Sequence, residues 1–198
     1  MTVPPRFESG PITTNDRPRP ADADDVIIAL EADGSARPVG KLEAHERNIR
    51  HRAVSIFVFR DGGLLLQQRA AGKYHSSHLW ANTCCSHPRW EESVEDCADR
   101  RLREEMGFNV ALTPFGVVEY EAPVGDLFEN EVVHRFYGRL GRDGPPITPN
   151  PDEVEAIAWM SLDDIVRDIA ADPDRYAPWF RIYMREHLDA LRQLSDAT

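Results

Sequence analysis

Ser93-Val94-Glu95-Asp96-Cys97-Ala98-Asp99-Arg100-Arg101-Leu102-Arg103-Glu104-Glu105-Met106-Gly107 reads as one helix with a conflict in its buried face. At about 100° per residue, Val94, Cys97, Ala98, Leu102 and Met106 form one apolar stripe, and Arg101 and Glu105 fall in the middle of it. A guanidinium and a carboxylate are costly to bury unless they are paired or bound to an ion. Two readings stay open. One is an i,i+4 ion pair between the two. The other is a helix that faces a polar cavity holding a cation and a phosphate, with Glu104 placed to share the cation. Just upstream, Trp80-Ala81-Asn82-Thr83-Cys84-Cys85-Ser86-His87-Pro88 sets a thiol (Cys85) and an imidazole (His87) two residues apart, so an extended backbone aims both to one side.

The rest of the chain sets the frame for this pair of segments. At 198 residues with 41% hydrophobic content, it suits one domain with a sizeable core. A formal net charge of -11 argues against a protein whose main work is gripping nucleic acid. Any anionic substrate must therefore meet a local basic cluster or a bridging cation. Three cysteines, of which only Cys84 and Cys85 are adjacent, make no secreted disulfide framework, and a reducing cytoplasm is the expected home. No secretory signal pattern opens the chain and no apolar run is long enough to cross a bilayer, so neither membrane nor targeting is expected.

Residues 1–25 are rich in Pro, Asp, Thr and Arg without any burying period and read as a flexible N-terminal extension; 26–198 read as the working domain. Val26 to Leu30 is a short apolar strand followed by a turn at Ala32-Asp33-Gly34-Ser35. Arg52 to Phe59 and Leu64 to Gln68, joined by Arg60-Asp61-Gly62-Gly63, predict a hairpin. Further strands are expected at Phe115 to Ala122, Glu131 to Arg139 and Val154 to Met160. Helices are expected at Ser93 to Met106, Leu162 to Ala171 and Ala177 to Leu194. Strands interspersed with a few helices, without a regular alternation, predict a mixed-sheet α/β sandwich rather than a doubly wound fold.

Glu92, Arg100, Leu102, Glu104, Glu105 and Gly107 resemble the Nudix box, the loop-helix segment with which that superfamily holds divalent metal and a diphosphate. Two positions depart from it: Ser86 stands where the opening glycine is expected, and Arg101 stands where a metal-binding glutamate follows the first arginine. That reversal of charge speaks against simple diphosphate hydrolysis. It is what the type I isopentenyl diphosphate isomerases carry, and the chain is similar to that family from about Lys41 to the C-terminus. The shared landmarks are Lys41 to His45, the strand after His51, Arg69 with Lys73, the Asn82 to Pro88 run, Glu129-Asn130-Glu131 and Tyr176-Ala177-Pro178-Trp179.

The resemblance implies a Nudix-like mixed-sheet α/β sandwich and a small-molecule isoprenoid diphosphate substrate. It also implies a divalent metal (Mn, Zn or Mg) on His45, His51, His87, Glu129 and Glu131. Imidazoles and carboxylates make a mixed nitrogen and oxygen site, and the i,i+2 pair Glu129/Glu131 points one way from an extended backbone. It turns Arg69, Lys73 and Arg101 towards the diphosphate, with Lys41 and the backbone around Ser86 as further contacts, and sets Mg at Glu105 against the phosphate oxygens. Cys85 and Glu131 then flank the hydrocarbon as acid/base groups, Trp179 covers it, and Tyr120 assists through its hydroxyl. Cys84 and Cys97 read as packed neighbours, and His75, His78, His134 and His187 carry no assigned role. A monomer or weak dimer is expected.

Three other readings compete: a Nudix hydrolase of a nucleoside diphosphate derivative, a Nudix-like module that binds without turnover, and a zinc site on Cys85 thiolate and His87. Arg101 weighs against the first. Intact Cys85, Glu105 and Glu131 weigh against the second. The lack of a second cysteine pair at zinc-site spacing weighs against the third.

Overall fold

The computed structural model describes residues 25–73 and 75–196; the expected extension over residues 1–25 falls, apart from Asp25, outside them. The chain runs β1 (Val26–Leu30), β2 (Ala36–Gly40), α1 (Lys41–Glu46), β3 (His51–Arg60), β4 (Gly63–Arg69), β5 (Trp80–Ala81) and β6 (Cys84–Ser86). It continues through α2 (Val94–Met106), β7 (Thr113–Val124), β8 (Leu127–Arg139), β9 (Val154–Ser161), α3 (Leu162–Ala171), a 3₁₀ turn (Pro173–Arg175), α4 (Pro178–Glu186) and α5 (Leu188–Asp196).

β3 is the axis of the sheet. It pairs antiparallel with β1, β4 and β6, and parallel with β8 over His51↔Glu131 to Phe59↔Arg139. Its near-continuous apolar run follows from burial on both faces. Ala53, Phe57 and Phe59 meet Leu162 and Ile165 of α3, Phe180 and Tyr183 of α4, and Leu191 of α5. Val54, Ile56 and Val58 meet Cys97, Ala98, Leu102 and Met106 of α2. The fold is thus the expected mixed-sheet α/β sandwich. α2 lies on one face and α3 to α5 on the other.

The β3/β4 hairpin forms at its turn, where only Phe59↔Leu64 and Arg60↔Gly63 pair. Beyond them the strands splay. β4 turns to β9 and β5, while β3 turns to β6 and β8. That divergence opens the sheet where the polar residues gather.

Two expectations need correction. The single helix over Ala177 to Leu194 is broken at His187, which leaves helical geometry (φ -128°) so that α5 starts afresh at Leu188. No glycine or proline marks this break; it lets both helices lay apolar residues on the same core. The strands at Phe115 and Glu131 also run longer, from Thr113 and Leu127, because β7 and β8 form a long antiparallel ribbon closed at Val124↔Leu127. The short elements α1, β5 and β6 carry too few residues to show a period.

Candidate active site

Strand register gathers the first cluster. His51 on β3 is opposite Glu131 on β8, and Glu131 is opposite Tyr120 on β7, so three strands contribute side chains to one row. His45 comes from α1 and His87 follows β6. The ligand atoms of His45, His51, His87 and Glu131 all lie within 4.8 Å of one another. The three imidazole centroids stand 4.8 to 5.0 Å apart. His45 Nδ1 donates to Lys41 O and His51 Nδ1 to Ile49 O, each at 2.7 Å. A carbonyl only accepts, so both rings carry a proton on Nδ1 and turn Nε2 inward.

Charge in this cluster is set by burial and by contact. Burial holds His45 down to about 3 and His87 down to about 4, so both rings are neutral near pH 7. Burial alone would raise Glu131, but the neighbouring His51 and His87 rings hold it well below the usual carboxylate range, and His87 Nε2 lies 2.8 Å from its Oε1. His51 Nε2 is 3.6 Å from the same oxygen and has no hydrogen-bond partner among the described residues. Neutral imidazoles, an ionised carboxylate and an orphaned ring nitrogen aimed at one point fit a divalent cation.

Glu129 stands beside this set rather than within it. Burial and the charge of Glu131 push it well above the usual carboxylate range, so it holds a proton. Tyr120 bridges the two carboxylates, 2.6 Å from Glu131 Oε2 and 3.1 Å from Glu129 Oε2. Its one hydroxyl proton serves the shorter contact. Of the five residues expected as ligands, four therefore stand together in this geometry, with Glu129 linked to them through Tyr120.

Cys85 enters from β6, opposite Ser55 on β3. Asn82 fixes its setting: the Asn82 amide donates to Ile56 O and Cys84 O, which turns its oxygen towards the Cys85 thiol at 3.1 Å. Ser55 Oγ lies 3.2 Å from the sulfur and 2.9 Å from the Tyr183 hydroxyl. Burial pushes the thiol up to about 12, so Cys85 is protonated. Cys85, Glu131, Tyr120 and Trp179 all line one cavity of about 440 Å³, part of it open to solvent. Trp179 is 3% exposed, and its ring also carries the Arg69 guanidinium at 5.3 Å and the His75 ring at 5.9 Å.

Lys41, Arg69, Lys73 and Arg101 line the same cavity, as do Ser86 and His87. Arg101 and Glu105 form the i,i+4 pair at 2.6 Å, and Arg101 also meets Glu104 at 2.8 Å and Glu153 at 3.1 Å. The ion pair therefore forms, and Arg101 also lines the cavity. Glu105 also accepts from Gln67 Nε2 at 3.1 Å. Burial alone would raise this carboxyl, but the Arg101 charge keeps it ionised.

Residues 49–180 match the NUDIX domain. Over 167 residues, 83% of this chain and 94% of the relative, the sequence is 49% identical to an isopentenyl-diphosphate Delta-isomerase of Cereibacter sphaeroides. One from Dinoroseobacter shibae is 49% identical over 168 residues, 83% of this chain and 94% of that one. The chain belongs to the type I isopentenyl-diphosphate Delta-isomerases of the Nudix superfamily. A Deinococcus radiodurans protein of known structure shares the fold, with a TM-score of 0.65 at 14% identity over 81% of this chain and 98% of that one. A MutT NUDIX hydrolase from Burkholderia pseudomallei does so at 0.53 and 24% identity, over 69% of this chain and 97% of that one.

Among these Delta-isomerases and Nudix proteins, the chain has polar residues that sequence patterns left unassigned. His75, in the β4–β5 connection, lines the cavity 3.7 Å from Glu129. Glu153 sits just before β9. Neither lies in a periodic segment that would assign it a face. Ser55 did leave a trace, as a lone polar residue in the apolar run of β3.

Proposed function

We propose that the protein interconverts isopentenyl diphosphate and dimethylallyl diphosphate. The supporting observation is that a protonated thiol at Cys85 and an ionised carboxylate at Glu131 line one cavity that four cationic side chains also line. Shifting the double bond adds a proton at one end of the allylic unit and removes one from the other, with a tertiary cation between. One group must give and one must take; in the reverse direction each swaps its task. Tyr120 holds the Glu131 carboxylate through its 2.6 Å hydrogen bond. The face of Trp179 and the nearby carboxylate favour the cation, the ring by about 0.5–2 kcal/mol.

Arg69, Lys73 and Arg101, with Lys41 and the Ser86 backbone, bind the diphosphate; forked guanidiniums match phosphate oxygens, and the cluster overcomes the repulsion of a net acidic protein. His45, His51, His87 and Glu131 hold a divalent metal (Mn, Zn or Mg), with Glu129 as a further ligand once it gives up its proton. A bound metal fixes the Glu131 carboxylate and tunes its proton affinity. Glu105 takes Mg with the substrate phosphates. Residues 26–198 act as one catalytic domain, and free thiols at all three cysteines suit the cytoplasm.

Incubating the purified protein with isopentenyl diphosphate and Mg²⁺ or Mn²⁺ tests the reading. Dimethylallyl diphosphate without phosphate release is expected. Phosphate release from nucleoside diphosphate derivatives, with no isomerisation, would return the chain to the hydrolases.

A further inference from the structure

The four cations of the cavity are held by unequal means. Lys41 opens α1, Arg69 ends β4 and Arg101 lies on α2, so regular structure fixes each backbone. Lys73 lies in the irregular β4–β5 connection, where its N–H reaches Ala70 O at 3.2 Å. Its ammonium binds Glu153 Oε2, and the other oxygen of that carboxylate takes Arg101 Nη2 at 3.1 Å. Glu153 therefore bridges the two cations, yet it does not line the cavity: it stands behind them.

The bridge is itself anchored. Glu153 O accepts from Ala70 N at 3.0 Å, Glu153 N donates to Asn150 O at 3.0 Å, and Asn150 N donates to Glu105 O at 2.9 Å. One residue is thus tied to the end of β4 and to the C-terminal end of α2. Two cations converging on a buried pocket repel, and a carboxylate between them offsets that repulsion while taking one donor from each. The remaining ammonium hydrogens of Lys73 stay available to a ligand. So does Arg101 Nε, which is buried without a hydrogen-bond partner among the described residues.

We infer that Glu153 is a positioning residue for diphosphate binding, holding Lys73 and Arg101 at the separation a diphosphate needs. The inference rests on the proposed role of those two cations. It makes Glu153 act through Lys73 and Arg101, on binding rather than on proton transfer.

The test is a double-mutant cycle with Glu153→Gln and Lys73→Ala, read as KM for isopentenyl diphosphate, kcat, and the Kd of inorganic pyrophosphate with Mg²⁺. Glu153→Gln should raise KM and Kd about tenfold with kcat within about twofold, and the double variant should lose less binding than the two single losses combined, the remainder acting through Arg101. Glu153→Asp, which keeps the charge, should recover part of the loss and serves if the Gln variant folds poorly. Unchanged or tighter pyrophosphate binding by Glu153→Gln, or additive losses in the double variant, would overturn the inference. Lys73→Ala weakened while Glu153→Gln matches wild type overturns the inference alone; wild-type KM in Lys73→Ala overturns the diphosphate reading with it.

Discussion

Cys85 and Glu131 are both buried in the same pocket and carry opposite protonation states for different reasons. The thiol keeps its proton because burial outweighs the hydrogen bond Ser55 could offer a thiolate, and the carboxylate loses its own because two imidazoles and a phenol contact it. Cys85→Ala should lower kcat by about 10²–10⁴ while metal content stays near that of wild type, checked by elemental analysis beside the assay. The histidines give a pH signature. Their folded values lie below the unfolded 6.5, at about 3 for His45 and about 4 for His87, so between those limits the unfolded chain binds more protons. Stability must rise with pH across that window. Thermal melts of chelator-treated protein should lose Tm steadily from pH 6.5 to pH 4, and a flat profile would contradict the buried neutral rings. At this scale the Cys85/His87 and Glu129/Glu131 spacings were legible, because an i,i+2 pair commits two side chains to one face. Glu129 standing apart was not legible, since a two-residue spacing cannot tell how like charges divide one proton.

At the scale of elements, α2 delivers Arg101 and Glu105, and both of its ends are fixed by residues suited to them. Ser93 caps the first turn, accepting from Asp96 N at 3.0 Å, and Gly107 ends the helix with φ 71°. A Cβ at Gly107 would lie 2.1 Å from Thr148 O, in the loop that leads to Glu153. Gly107→Ala should cost about 1–2 kcal/mol from left-handed strain alone. The steric clash adds to this, and a raised KM should follow because the helix end and that loop shift together; chemical denaturation and steady-state kinetics check both. The stripe of α2, its misplaced charges and its terminal glycine were all readable. So was β3, whose apolar run reflects two covered faces. The splaying of β4 from β3 was hidden, because tertiary partners β8 and β9 decide it and the turn residues do not. The break at His187 was hidden for a similar reason: the core asks for it and no breaker residue announces it.

Over the whole molecule, a net acidic chain gathers four cations and a mixed imidazole and carboxylate cluster around one cavity, on a sheet shared with Nudix proteins. A ligand that binds only the folded state stabilises it by mass action, about 2.7 kcal/mol at a hundredfold excess over Kd. Mn²⁺ or Zn²⁺ should therefore raise the Tm of chelator-treated protein, and His51→Ala should abolish most of the rise; an equal rise in both would place the metal elsewhere. Among the described residues no helix is long and apolar enough to cross a membrane. The central claim is that a thiol and a carboxylate move protons at the two ends of one allylic unit. Its most direct test follows isopentenyl diphosphate by proton NMR in D₂O with wild type, Cys85→Ala and Glu131→Gln. The account predicts solvent deuterium entering dimethylallyl diphosphate with wild type, and no product with either variant over the time in which wild type reaches equilibrium. Product free of deuterium, or turnover by Cys85→Ala at the wild-type rate, would contradict it.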